Sequence, residues 1–325
     1  NTKNNLKNPT FFISDPWTKT KGGKNYFENI LSSCLSRIIN DNSQSKIGIF
    51  DYLILFFSII KYVRFLQWPY LIKLVLKSLT KKWYKVFILE LLLHELYLNK
   101  IKKGKTNFSS VFFNGIAHIQ HHYFYNIENF TKKNPNWYIS KKEDPFKNIL
   151  EFYNKILEDY FKLGDKFILL TGLSQIPYDQ EKFYYRLKNP SHFLNLLKIN
   201  HKSVSQRMTR DFLIEFEDNK DVDLAENKIK LLCDDNGIKI FKELEKKDKS
   251  LFVTLTYSKE INENMYIELE NKKIKFNQHV IFVALKNGMH DGKGFAFTNI
   301  KNLFNYEKTI HLKNFYKIIE NYFSK

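Results

Sequence analysis

A chain of 325 residues is long enough for one large core or two modest ones, and 43% hydrophobic with 26% charged residues is ordinary for a soluble globular protein. Two cysteines, Cys34 and Cys233, exclude a disulfide framework and a four-thiolate zinc site; they fit a reducing compartment, and a cytoplasmic location is expected. The 52 Lys and Arg against 34 Asp and Glu leave a net charge of +18, which can attract nucleic acid, anionic lipid or anionic substrates.

Much of that charge is Lys scattered among Asn, Ile, Phe and Tyr, the mixture that an AT-rich genome also encodes. The basic runs, such as Lys100, Lys102, Lys103 and Lys105, are short, and no nucleic-acid fold motif accompanies them, so nucleic acid is not the expected partner. The most apolar early run, Tyr52 to Ile60, is too short to span a bilayer and is followed by Lys61. It reads as a buried helix, with a membrane-apposed helix as the alternative. No signal peptide opens the chain, and because residue 1 is Asn rather than Met, further sequence is expected upstream.

In chain order, Phe11 to Ile13 is a short strand candidate, followed by a turn-rich segment ending at Gly22-Gly23. Apolar spacing from Tyr26 to about Leu98 is helical, with breaks near 41–45 and at Pro69. Ser109 to Phe113 reads as a short buried strand that delivers the chain to Asn114. Asp144-Pro145 marks a helix start, and Phe146 to Phe161 carries apolar residues on one face. A strand over 167–170 and a loop from Thr171 to Pro177 come next. The order strand, helix, strand predicts an α/β fold with a mostly parallel sheet flanked by helices. Residues 178–278 look like an inserted α+β subdomain with an alternating strand at Leu251 to Tyr257. A strand from His279 to Leu285, a loop from Lys286 to Gly294, a short strand at Phe295 to Phe297 and a helix over 312–323 close the core. The domains are thus 1–177, 178–278 and 279–325.

Chemistry concentrates in Asn114-Gly-Ile-Ala-His118-Ile-Gln120-His121-His122, directly after a strand candidate. In parallel α/β sheets such loops hold ligands. His118 and His122 are four apart and share a face if the segment is helical; imidazole is a common transition-metal ligand. The alternative is a pair of hydrogen-bonded core histidines with His121 exposed. A second signal is Asn287-Gly-Met-His290-Asp-Gly-Lys-Gly, whose glycines permit positive φ and can aim His290 into a cleft; a plain hairpin loop is the bland reading. Ser174 and Gln175, after the 167–170 strand, can bind an anion or orient water. Arg207 and Arg210 can clamp a phosphate or carboxylate, although an internal ion pair with Asp211 explains them as well.

The order of these pieces resembles the alkaline phosphatase-like superfamily, particularly its type I phosphodiesterase and nucleotide pyrophosphatase branch. Asn114 and His118 occupy its Asp-x-x-x-His spacing, residues 146–161 and 167–170 look like the helix and strand before its Asp-His-Gly loop, and His290 looks like its late metal ligand. The resemblance implies an alkaline phosphatase-like core, with Asn114, His118 and His290 holding a divalent metal, zinc being the expected ion. His122 would be a third ligand or proton donor, and Gln120 and Gln175 would orient water or substrate. It also implies a small anionic ester as substrate. The chain departs from the family where Asn114 replaces a metal-binding Asp and where Gly172 to Gln175 offers neither carboxylate nor imidazole; the family's amino-terminal Asp and its Thr or Ser nucleophile are expected upstream of Asn1. The expected function is a metal-dependent hydrolase or transferase on a phosphate, sulfate or phosphonate ester, with His122 as a metal-free general base the lesser variant. The alternative is a catalytically degenerate protein that binds an anionic glycan or nucleotide without turnover.

Overall fold

The computed structural model describes residues 9–14, 25–41, 48–104, 106–207, 210–269, 272–305 and 308–324. Four helices come first: α1 (Tyr26–Asp41), α2 (Ile49–Tyr62), α3 (Trp68–Thr80) and α4 (Tyr84–Lys103). Then follow α5 (Gly115–Tyr123), α6 (Pro145–Phe161), β1 (Ile168–Thr171), β2 (Ser174–Pro177), β3 (Phe183–Leu187), α7 (Pro190–Leu196), β4 (Ser203–Gln206), β5 (Asp211–Glu215) and α8 (Asn219–Leu231). The chain ends with β6 (Cys233–Asp234), β7 (Phe241–Lys247), β8 (Ser250–Leu255), β9 (Tyr266–Leu269), β10 (Lys272–Lys275), β11 (Val280–Leu285), β12 (Gly288–Asp291), β13 (Phe295–Thr298) and α9 (Phe315–Phe323).

These elements divide into two compact units. The first contains residues 1–73, 91–111 and 180–286, and the second 74–90, 112–179 and 287–325. In the first unit β4, β5, β8 and β7 form a four-stranded sheet in that order, β10, β9 and β6 a three-stranded one, and β11 pairs with β3. Its core is rich in phenylalanine: Phe193, Phe212, Phe241 and Phe276 are all fully buried, and the Phe193 ring meets those of Phe241 and Phe276 at 6.2 and 5.9 Å. In the second unit α5 packs against α6, while β1 pairs with β13 and β2 with β12.

The expected mostly parallel sheet does not form. Among the described residues every strand pair is antiparallel, and no sheet exceeds four strands. A parallel sheet is normally covered by helices on both faces and needs long crossovers. Here β1 has three of its four residues exposed, and β7 is mostly exposed, so neither strand is built to be buried on both faces. The expected partner of β1, Ser109 to Phe113, is irregular and largely exposed, and β1 pairs instead with β13, Ile168 opposite Thr298. The segments 171–177 and 286–294, expected as loops, supply β2 and β12. Of the candidate at Phe11 to Ile13, only Ile13 is bridged.

Local signals held where local physics decides. The Asp144 carboxylate accepts the Lys147 N–H at 2.9 Å, Pro145 fills the first turn, and Ile149, Phe152 and Ile156 form the buried stripe of α6. The early helices break before Pro69, which lies in the first turn of α3; the other expected break, near 41–45, falls largely outside the described residues. Among the described residues no helix is long and apolar enough to cross a membrane.

Candidate functional site

The second unit gathers the histidines around α5. This helix has no side-chain cap of its own: Asn114 stands at the cap position without bonding the first turn. Another helix does that work. The buried carboxylate of Glu90 in α4 accepts the Asn114 N–H at 3.2 Å and the Tyr153 hydroxyl at 2.5 Å, and the Gly115 N–H donates to that hydroxyl at 3.2 Å. Two donors of the helix N-terminus are thereby satisfied, and a carboxylate lies at the positive end of the helix dipole. Burial pushes the Glu90 carboxyl up to about 7 against the downward pull of those hydrogen bonds, and burial beside Glu90 raises the Tyr153 hydroxyl well above its usual range. Gly115 lets this network close up, since a Cβ would come within 3.0 Å of Glu90 and 3.1 Å of the Tyr153 hydroxyl, and those side chains would have to give way by a few tenths of an ångström.

The other end of α5 is held by β12. The Asn287 N–H donates to the His121 carbonyl at 2.7 Å, and the Gln175 carboxamide of β2 donates to the Ala117 carbonyl at 3.0 Å. In the ladder His290 stands opposite Gln175 and Asp291 opposite Ser174, while the Ser174 N–H donates to the Lys293 carbonyl at 2.6 Å. Gly288 works by close approach, not by the positive φ expected of it; among the described residues the positive-φ glycines are Gly164 and Gly237. A Cβ at 288 would lie 2.7 Å from the Gln120 carbonyl and 2.6 Å from the Gln175 amide oxygen. Gly288→Ala is therefore expected to lower stability by about 2 kcal/mol, read as a lower urea midpoint. A variant as stable as the native chain would show that β12 and α5 can part freely.

The outcome of this packing is a pair of facing imidazoles. His121 Nε2 lies 3.0 Å from His290 Nε2, and His121 Nδ1 lies 3.3 Å from the Gly288 carbonyl. A carbonyl can only accept, so Nδ1 carries the proton, and Nε2 of the neutral ring presents its lone pair to His290. His118 and His122 form a second pair with ring centroids 4.8 Å apart, one turn apart on the helix as their spacing implied. His118 is held down to about 4, chiefly by burial and secondarily by His121, so its ring is neutral at neutral pH.

His290 thus reaches α5 through His121 and not through the expected His118, while Asn114 lies at the opposite end of the helix, about 10 Å from His121 along the axis. Among the described residues these histidines do not bring three ligand atoms within 4.8 Å of one another. As a partial fit to a metal, the His121–His290 pair offers two nitrogens, one already oriented by a backbone carbonyl as ligating histidines commonly are. Gln175 uses its amide group in packing, and its Oε1 is buried without a hydrogen-bond partner. Arg207 and Arg210 belong to the first unit, where the Arg210 guanidinium donates to the Leu255 carbonyl at 3.1 Å and lies 4.4 Å from the Tyr184 ring centre. No protein-family model, curated protein or solved structure matches the chain.

Proposed function

We propose that the chain is a metal-dependent hydrolase or transferase acting on a phosphate, sulfate or phosphonate ester, with His121 and His290 as two protein ligands of a divalent ion such as zinc. The observation that supports this reading is the 3.0 Å approach of the two Nε2 atoms, with His121 oriented through Nδ1 by the Gly288 carbonyl. When bound, the ion would polarise the ester and stabilise charge on its oxygens. His118, neutral at neutral pH, can accept a proton, and His122 on the same helix face is the candidate to hold or pass one on. Lys293, two residues after Asp291 and exposed, adds positive charge for an anionic substrate.

A second reading is favoured by the histidines not gathering a third ligand atom and by Asn114, Ser174 and Gln175 standing where carboxylate or imidazole ligands would be expected. In it the chain binds an anionic glycan or nucleotide without turnover. Zinc titration by calorimetry, with 4-nitrophenyl phosphate, bis(4-nitrophenyl) phosphate and 4-nitrophenyl sulfate as substrates, separates the two. The expected result is about one equivalent of zinc per chain, weakened about tenfold or more by either His121→Ala or His290→Ala, with ester hydrolysis falling in parallel. Zinc binding without hydrolysis favours the second reading. No zinc binding by the native chain removes the metal-dependent one.

A further inference from the structure

Helix α2 has its polarity reversed. Its polar stripe, Asp51, Ser58 and Tyr62, is buried, whereas Ile49, Phe50, Leu53, Phe56, Phe57 and Ile60 on the opposite stripe are between 44% and 76% exposed. A surface helix in water has the opposite arrangement. Two of the three inward polar groups are partnered: Asp51 accepts from the Arg37 guanidinium at 2.5 Å, and the Ser58 hydroxyl donates to the Ile54 carbonyl at 2.7 Å, while the Tyr62 hydroxyl is buried without a hydrogen-bond partner. This face is therefore the settled orientation of the helix and not a register error. The apolar surface continues into the 3-10 turn Phe65–Gln67, where Phe65 and Leu66 are the most exposed of all, at 82% and 88%. Contiguous apolar surface of this kind marks a protein or membrane contact.

Three properties select the partner. The 14 residues of α2 span about 21 Å, short of a hydrocarbon core of about 30 Å, so the helix can lie in a bilayer interface but not cross it. Between Ile49 and Lys73 the chain carries three bases, Lys61, Arg64 and Lys73, against one acid; Asp51 is buried and paired with Arg37, and Arg64 is paired with the buried Glu95, which leaves the charges of Lys61 and Lys73. The outward face of this stretch therefore shows no carboxylate. A second copy would bring like charges together, on a chain whose net charge is already +18, whereas an anionic bilayer meets them with the opposite sign.

We propose that α2 and the Phe65–Gln67 turn form a peripheral membrane-binding face that lies flat in the headgroup–acyl boundary of an anionic bilayer, with Phe56, Phe57, Phe65 and Leu66 inserted. Lys61 and Lys73 supply the attraction to anionic headgroups, so binding weakens with salt. The test is cosedimentation of the full chain with vesicles of phosphatidylcholine mixed with phosphatidylglycerol, and with vesicles of phosphatidylcholine alone. The expected result is salt-sensitive binding that is stronger on the mixed vesicles. Two double variants, Phe56→Asp with Phe57→Asp and Phe65→Asp with Leu66→Asp, should each weaken it by about tenfold or more while melting close to the native temperature, because the altered side chains are exposed. The two pairs sit on separate elements, so misfolding of one leaves the other as the test. Failure of the native chain to sediment with either vesicle overturns the proposal, as does undiminished binding by a folded variant. A native dimer that shows no vesicle affinity, and that the substitutions dissociate, assigns the face to a second copy and overturns it equally.

Discussion

Asn287→Leu is expected to destabilise the protein by about 4 kcal/mol, seen as a lower urea midpoint with an unchanged m-value. Asn287 is fully buried, and its side chain makes three of its four possible hydrogen bonds. Oδ1 accepts from Asn134 Nδ2 at 2.7 Å and from the Tyr125 N–H at 3.2 Å, while Nδ2 donates to Asn134 Oδ1 at 3.0 Å. The network extends onward, with Asn134 Nδ2 also donating to Asn126 Oδ1 at 2.8 Å and Asn126 Nδ2 reaching the carbonyls of Ser140 and Glu143 at 3.0 Å each. Leucine has the same branched shape and leaves no cavity, so the loss is not one of missing packing. It strands the Tyr125 N–H and the Asn134 amide in a buried site, and each stranded buried group costs roughly 1–3 kcal/mol. A loss below about 1 kcal/mol for the leucine variant would show that the asparagine cluster finds other partners. Because the Asn287 backbone also holds the His121 carbonyl and the Tyr178 N–H, the same substitution should separate His121 from His290 and, on the metal-dependent reading proposed above, lower zinc affinity.

Elements whose signal is local were legible in the sequence. The α6 helix carries its own cap, its own proline and its own buried stripe within one stretch, and β8, β11 and β13 announce themselves as apolar runs between turns. What pairs with what was not legible. Thr171 to Pro177 and Lys286 to Gly294 read as loops because they are rich in glycine and polar residues, yet they pair 110 or more positions apart, and only the docking of both against α5 rewards that pairing. Spacing placed His118 and His122 together but gave His121 no part in the site, since an isolated helix has no way to show that β12 arrives on that side. Glu90 was missed altogether. The clue available was its setting: Phe87-Ile-Leu-Glu90-Leu-Leu-Leu is too apolar to be a solvated face, so an acid within it needs a buried partner. The capless start of α5, 24 residues later, is what it answers.

That buried acid gives the second large expectation, a stability gap between the native chain and Glu90→Gln that opens with pH. The Glu90 carboxyl is raised from the usual 4.5 to about 7, with burial as the main cause. Below pH 4.5 the group is protonated in folded and unfolded chains alike and contributes nothing to the pH dependence. As pH rises from 4.5 to 7 the unfolded chain releases the proton while the folded one retains it, so stability falls across this window and levels off above it. A shift of this size amounts to roughly 3 kcal/mol. Glutamine imitates the protonated acid, since its amide can donate to the Tyr153 oxygen while its carbonyl accepts the Asn114 N–H, and it does not titrate. The two proteins should therefore be nearly equal in stability at pH 4, with the variant more stable by about 3 kcal/mol at pH 8, in urea titrations at fixed ionic strength. The comparison isolates Glu90 from His118, whose depressed value acts oppositely by lowering stability as pH falls from 6.5 towards 4, because that contribution is common to both proteins and cancels in the difference. A gap that stays constant between the two pH values would mean that Glu90 is ionised throughout, with the Asn114 N–H and the Tyr153 hydroxyl sufficient to hold its charge at the start of the histidine helix.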